Sequence, residues 1–257
     1  MPHQWQGYDE ALMVYALALG SPTHPIASCA YSAWESTYEW MHCYDIDYLY
    51  AGPLFTHQLS HAWIDFRGIR DPFMRGKGID YFENSRRATQ IQQRYAIDNP
   101  LGFKGYCGEC WGVTASDGPG PATQMSDGVE RRFYGYEGRG APYGIDDGTL
   151  SPWAVAASLP FAPEIVLPTM HNFMVGMQLH EKHQYGFKAS FNQTWVGRSD
   201  NPRCAGWISP YHFGLNLGPI VLMIENHRSG MPWELMRGCR WIVDGLKRAN
   251  FEGGWLK

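Results

Sequence analysis

The stretch Gly7-Tyr8-Asp9-Glu10-Ala11-Leu12-Met13-Val14-Tyr15-Ala16-Leu17-Ala18-Leu19, followed by Gly20-Ser21-Pro22, decides the fold class. From Tyr8 to Leu19 it puts Leu12, Tyr15, Ala16 and Leu19 on one face, the 3.6-residue period of a helix. Gly20-Ser21-Pro22 then ends the segment. The same pattern continues outward along the chain. It predicts helices from Pro25 to Met41, from Gly52 to Phe66 with Pro53 in the first turn, and from Gly78 to Ile97, stopped by Asn99-Pro100. Further helices are expected over Ser151 to Ser158, Phe161 to Val175, Gly214 to His227 and Pro232 to Ala249. The last is amphipathic, with Leu235, Trp241, Ile242 and Leu246 inward and Arg237, Lys247 and Arg248 outward. Residues 102–149 are rich in Gly and Asp, with short strands expected near Arg132 to Tyr136. Phe187 to Trp195 reads as a strand or a connector. A loop region of that length inside a compact domain is usually functional. The expectation is an all-α single domain, residues 1–257, with helical hairpins arranged as a toroid and loops building one face.

The composition narrows the function. The 257 residues can bury a full core without covalent staples. A formal net charge of -4, with acids and bases interspersed, argues against a nucleic-acid groove or an anionic-membrane surface. No run of 18 apolar residues occurs, so no membrane span is expected. Met1-Pro2-His3-Gln4 has neither a basic nor an apolar leader region, so a signal peptide would belong to an upstream segment. The six cysteines do not read as a disulfide framework in a chain this long. There are 11 Trp, 15 Tyr and 12 Phe, many of them beside Gly, Pro, Asp or His rather than inside periodic runs. Two readings fit: a well-filled aromatic core, or a ring-lined cleft where flat sugar faces stack.

Acids beside glycine or aromatics are the candidates for chemistry: Glu10, Asp65, Asp71, Glu109, Asp117, Asp146, Asp147 and Asp200. Cleaving a glycosidic bond takes two carboxyl groups, one protonated and one ionised, and an apolar wall raises the protonated one. Glu10, beside Tyr8 in a hydrophobic first turn, suits the acid role, although Asp9 and Glu10 also complement the helix dipole. On the expected helix 52–66, His57, His61 and Asp65 share a face by i, i+4 spacing. That face lines a sugar groove, forms a core network, or holds a metal. The glutamate that follows the first histidine in zinc proteases is replaced by Gln58. Cys107-Gly108-Glu109-Cys110 is a Cys-x-x-Cys without a second pair at zinc-finger spacing or a thioredoxin-like context, and it aims Glu109 from a Gly-rich loop. Asp117-Gly118 is also an ordinary turn signal. His180-Glu181-Lys182-His183 reads as solvated surface. Glu225 and Asn226, on an apolar helix, read as buried and paired.

Several motifs together resemble the bacterial glycoamylase-like family. They are Gly7-Tyr8-Asp9-Glu10-Ala11 with Ser21-Pro22-Thr23-His24-Pro25, Leu54-Phe55-Thr56-His57-Gln58 with Trp63-Ile64-Asp65-Phe66-Arg67, and Trp111-Gly112-Val113-Thr114-Ala115-Ser116-Asp117-Gly118-Pro119. Ser158-Leu159-Pro160-Phe161-Ala162-Pro163-Glu164 follows, and then Gly218-Pro219-Ile220 through Met223-Ile224-Glu225-Asn226 to Arg228-Ser229-Gly230. The family is similar to endo-β-1,2-glucanases of glycoside hydrolase family 144 and to a domain of cyclic β-1,2-glucan synthases. The resemblance implies an (α/α)6 toroid, here incomplete at the N-terminus. Such a chain would be a fragment, or would close its apolar seam by forming a homo-oligomer. It implies cleavage or transfer of β-glucosidic bonds, with a glucan or glucooligosaccharide as substrate, no metal and no cofactor, in a periplasmic or secreted setting. Glu10 becomes the general acid. Asp65, Glu109 or Asp117 activates water or orients a sugar. Trp63, Trp111, Tyr143 and Tyr211 stack on glucose rings, and His57, Gln58 and Arg67 bind hydroxyls. Family glucanases often carry Asp where this chain has Asn216, and an amide cannot act as a general base. The alternative is therefore a glucan-binding or transglycosylase module with little hydrolysis.

Overall fold

The structure is a computed structural model that describes residues 5–180, 184–197 and 199–257. In chain order the elements are α1 (Ala11–Leu19), α2 (Ser28–Glu35), β1 (Trp40–Cys43), β2 (Ile46–Leu49), α3 (Pro72–Lys77) and α4 (Tyr81–Asp98). Then come β3 (Ala115–Ser116), β4 (Ala122–Ser126), β5 (Val129–Phe133), β6 (Glu137–Gly138) and β7 (Thr149–Leu150). They are followed by α5 (Pro152–Ala157), α6 (Pro163–His171), β8 (Phe191–Asn192), β9 (Trp207–Ile208), α7 (Gly214–Arg228), α8 (Met231–Arg237) and α9 (Arg240–Arg248). Helices carry most of the order, and the strands are two to five residues long. No described helix is long and apolar enough to cross a membrane. The chain forms two compact units: Met1–Ala51, Thr56–Ala88 and Glu225–Lys257 make the first, and Gly52–Phe55 and Thr89–Ile224 the second.

The core of the first unit is aromatic. Tyr8, Leu12, Leu19, Tyr31, Trp34, Phe66, Tyr81, Ile242, Leu246 and Phe251 pack together in it. Helices α1 and α9 touch backbone to backbone. A Cβ on Gly20 would overlap the carbonyl of Trp241, and one on Gly245 would overlap that of Ala16. Only glycine permits this approach. The expected helix 25–41 stops at Glu35, because Trp40–Cys43 pairs instead with Ile46–Leu49. The turn between those strands places Tyr44 and Asp45 at φ 52 and 60, the hand that suits a tight hairpin.

The expected helix 52–66 is two 3-10 turns, Leu54–His57 and Ser60–Ala62. Side chains take up the carbonyls a helix would use: Trp233 Nε1 donates to His61 O at 2.6 Å and Asn226 Nδ2 to Ala62 O at 3.0 Å. His57, His61 and Asp65 therefore do not share one helical face. The expected helix 232–249 breaks at Gly238-Cys239. That resets its phase, so Ile242 and Leu246 are buried while Leu235 and Trp241 face outward at 67% and 43% exposure. Asn226 is buried and paired as expected, whereas Glu225 is only partly covered and pairs with Arg228 and Ser229.

In the second unit the glycine-rich stretch is built around a buried ion pair. Arg139 and Asp147 are both fully buried, with Nε donating to Oδ1 at 2.6 Å and Nη2 to Oδ2 at 2.8 Å. The remaining guanidinium N–H groups reach Ser116 O, Tyr134 O and Gly135 O. Strands β4 and β5 form a hairpin through Asp127-Gly128, both at positive φ. A three-stranded sheet, β7-β8-β9, answers the strand-or-connector reading of 187–195. Helix α5 is buried throughout. Residues 181–183 of the segment read as solvated surface lie outside the described residues.

Candidate active site

At the head of α1, Glu10 is exposed, and its carboxylate makes no hydrogen bond or ion pair among the described residues. Asp9, next to it, is half-buried and accepts from Ala11 N at 2.8 Å. Burial, with Glu10's charge adding, pushes Asp9 up to about 6 against the pull of that N–H. The short turn thus presents one exposed carboxyl group and one half-buried one that holds its proton up to about pH 6. Tyr8, just before this turn, is buried in the core, where it stacks on Tyr81 at 5.5 Å and meets Tyr38 edge-on at 5.8 Å.

A second acidic pair lies in the same unit. Asp71 caps α3 by accepting from Met74 N at 2.8 Å, and it takes the hydroxyls of Tyr31 and Tyr81 at 2.6 and 2.5 Å. Burial raises Asp71 even so. Glu35 is half-buried, accepts from Phe73 N at 2.9 Å, and shares a hydrogen bond with the Asp71 carboxyl. Burial first, and then Asp71's charge, push Glu35 up to about 7. Two carboxyls that cannot both ionise cheaply hold one proton between them. Sequence reading missed Glu35, since an acid at a helix C-terminus among Ser and Thr carries no local signal.

The other sequence candidates of this unit fall in different places. Asp65 is buried and held by Arg67, whose Nε and Nη2 donate at 2.7 and 2.8 Å, and by Arg237. Burial alone would raise it, but Arg67's hydrogen bonds and charge, with Arg237, hold it below the usual carboxylate range. A carboxylate neutralised by two guanidiniums is a weak base. Arg67 is half-exposed, yet its fork is committed to Asp65 and its face lies 4.4 Å from the Trp233 ring. His57 is 1% exposed, with Nε2 against Ala51 O at 3.3 Å and Nδ1 against Asn84 Nδ2 at 3.5 Å, and burial lowers it to about 4. Gln58 is 0% exposed. Neither His57 nor Gln58 has an open edge for a sugar hydroxyl; both serve the core. Trp63 is open at 42%.

In the second unit Trp111 is fully buried and donates Nε1–H to Thr169 Oγ1 at 2.8 Å, so no ring face is available for stacking. Asn216 is 8% exposed. Tyr143 and Tyr211 are open, at 60% and 57%. Glu109 is exposed on its turn. Asp147 belongs to the buried ion pair. Asp146 accepts from Tyr106 and Tyr95 hydroxyls at 2.8 and 3.0 Å and from Gly148 N, and burial raises it to about 6. Asp117 accepts from Ser209 Oγ at 2.8 Å. Ser209 lines a cleft of about 420 Å³ together with Trp195, Trp207, Asp200, Asn201 and Lys188. Two indoles with an acid, an amide and an amine describe a surface that can stack on a sugar ring and hydrogen-bond its hydroxyls. The residues of this cleft come from an aperiodic Gly/Pro/Asn segment, where spacing says nothing about which side chains meet.

Among the described residues no three His, Cys, Asp or Glu side chains are placed to hold a metal ion, and all six cysteines are free thiols.

The Glycoamylase family, described as "Putative glucoamylase", matches residues 2–240. The exo β-1,2-glucooligosaccharide sophorohydrolase (non-reducing end) of Parabacteroides distasonis is 27% identical over 271 residues, covering 96% of this chain and 34% of that protein. The crystal structure of an endo-β-1,2-glucanase from Chitinophaga pinensis, with sophorotriose and glucose, superposes with a TM-score of 0.79 at 29% identity, covering 97% of this chain and 56% of that one. A Bacteroides uniformis structure given the same glucoamylase description reaches 0.81 at 34% identity, covering 99% and 57%. The chain thus spans about a third of the sophorohydrolase and a little over half of the two solved relatives.

Proposed function

Since this chain belongs to the Glycoamylase family, we propose that it acts on β-1,2-linked glucan, cleaving the glycosidic bond by acid–base catalysis as part of one (α/α)6 toroidal domain. The observation that carries the reading is the Asp9-Glu10 turn: an exposed carboxyl group beside a half-buried one raised to about 6. Glycoside cleavage is done by carboxyl groups that can reach the bond, and Glu10 is the exposed member of this turn. Glu10 protonates the leaving oxygen, and Asp9 sets the field in which it does so. Trp63, in the same unit, offers a ring face to glucose; in the second unit Asp117 and Glu109 are the candidate bases, and Tyr143 and Tyr211 the candidate ring faces. The relatives named for β-1,2-glucooligosaccharide and β-1,2-glucan cleavage support the substrate class.

Incubation with linear β-1,2-glucan, followed by chromatography of released oligosaccharides, tests this. Glu10→Gln is expected to lower kcat by about 10²–10⁴-fold, the usual contribution of a positioned acid. Unchanged turnover in that variant would remove Glu10 from the reaction.

Asn216 favours a second reading, a glucan-binding or transglycosylating module, because an amide stands where the resembled glucanases often carry an acid. Calorimetric binding of β-1,2-glucan without product release decides for it. Exposed Val14 and Leu17 on α1, and Leu215 and Val221 on α7, favour a covering partner, whether a further segment or a second copy. A monomeric sedimentation profile at all concentrations argues against the second copy.

A further inference from the structure

The Cys107-Gly108-Glu109-Cys110 stretch is not a loose loop. Cys107 N donates to Cys110 O at 3.2 Å, and Cys110 N to Cys107 O at 3.1 Å, so the two cysteines face each other as an antiparallel pair across a two-residue turn. Directly opposed residues project to the same side of the ladder, with Cα atoms about 5.5 Å apart in a pair that exchanges both hydrogen bonds. That separation lies inside the range a disulfide spans, roughly 4.4–6.8 Å. The turn is held from outside: Gln93 Nε2 donates to Gly108 O at 2.7 Å and Asn172 Nδ2 to Glu109 O at 2.9 Å. The two thiols differ in access. Cys107 is exposed, while Cys110 is 2% exposed. An accessible thiol that meets a partner first, and a sheltered one that can be reached from it, is the division of labour of a dithiol that exchanges with small disulfides.

We propose that Cys107 and Cys110 form a reversible dithiol–disulfide pair that reacts with low-molecular-weight disulfides, Cys107 attacking and Cys110 resolving. The Cys107 thiolate displaces one thiolate from the small disulfide and forms a mixed disulfide. The Cys110 thiolate then attacks the Cys107 sulfur, forming the Cys107–Cys110 bond and releasing the second small thiolate. The two protein sulfurs lose two electrons, the small disulfide gains them, and the two thiol protons leave with the released thiols. The product staples the turn that presents Glu109. Burial pushes the Cys110 thiol well up, so the second step is the slower one. This inference does not depend on the proposed glucan activity.

The test is incubation of the whole chain with oxidised glutathione, then alkylation under denaturing conditions and peptide mass mapping. Cys107 and Cys110 fall in one tryptic peptide, since no Lys or Arg lies between Lys104 and Arg131. The expected product is that peptide lighter by two hydrogens and unalkylated, with the other four of the six cysteines alkylated. Cys110→Ser is expected to stop at a stable glutathione adduct on Cys107, and Cys107→Ser to leave Cys110 reduced. Cys107 is exposed, so the second variant keeps its fold, which far-UV circular dichroism checks. A wild-type peptide that stays fully alkylated, a lasting glutathione adduct on wild-type Cys107, or a bond from Cys110 to Cys204 would each overturn the proposal.

Discussion

Asp65 and Asp71 sit on the same short stretch of the first unit, both at 1% exposure or less, yet they hold protons in opposite ways. Asp65 meets two guanidiniums and falls below the usual carboxylate range. Asp71 meets tyrosine hydroxyls and a backbone N–H, and burial carries it upward. Burial penalises the charged form in both; only a full opposite charge reverses the sign. In the second unit Asp147 pairs with Arg139, while its neighbour Asp146 accepts from tyrosine hydroxyls and rises to about 6. Acids partnered by arginine act as structural anions, and acids partnered by tyrosine or by other acids keep a usable proton. The latter group, with Asp9 and Glu35, is where acid chemistry has its material.

The largest expected effect comes from breaking an arginine-partnered acid in a fully buried place. Arg139→Met leaves the Asp147 carboxylate buried without its cation, and it removes the donor that the Ser116, Tyr134 and Gly135 carbonyls share. A loss of about 3–5 kcal/mol is expected on urea unfolding, the usual cost of removing one partner from a buried pair. A loss below about 1 kcal/mol would mean that the pair is solvated and that the contrast overstates its burial.

Asp65→Asn is a milder break of the same kind. The amide keeps the shape, and Arg67 and Arg237 are part-exposed, so water recovers some of what is lost. About 1–3 kcal/mol is expected at pH 7. The sign with pH follows from the lowered value. Asp65 stabilises the fold above its ordinary 3.8, and that contribution fades as pH falls through its depressed folded value. The variant should therefore flatten the acid limb of the stability curve and leave the limb above pH 5 unchanged in slope.

The same contrast explains what could be read from the chain beforehand. Helices α1, α4, α5, α6 and α7 were legible because their apolar spacing is set by the backbone alone. The failure at 52–66 arose because Trp233 and Asn226, more than 160 positions away, capture the carbonyls of His61 and Ala62. Asp9 and Glu10 were visible as a pair of acids at a helix start; that Asp9 is half-buried, Glu10 exposed and Tyr8 turned into the core was not. Nor was the burial of Trp111, His57 and Gln58, since a Trp beside Gly reads the same in a cleft as in a core. The partner of each acid decides its role, and partners such as Arg237 for Asp65, or Glu35 for Asp71, come from distant elements that local spacing does not connect.

The smallest effect tests the shared proton itself. Glu35 stands at about 7 in the folded chain against an ordinary 4.5. Below about pH 4.5 both folded and unfolded chains carry its proton, and the group costs the fold nothing. As pH rises from about 4.5 to about 7 the unfolded chain releases the proton while the folded chain keeps it. Stability therefore falls across that window and then levels off. Glu35 is half-open to water, which screens the effect to on the order of 1 kcal/mol. Glu35→Gln keeps an acceptor for Phe73 N and a donor toward Asp71, but it cannot ionise. At pH 8 the variant should be more stable than the wild type by about that amount, and at pH 4 the two should coincide. Urea midpoints at the two pH values measure the difference, in which any contribution from Asp9 and Asp146 cancels. If the variant keeps the wild-type slope between pH 5 and 7, the proton resides on Asp71 and Glu35 is a bystander. If it is less stable at pH 8, Glu35 is held as an anion and belongs with Asp65 on the other side of the contrast.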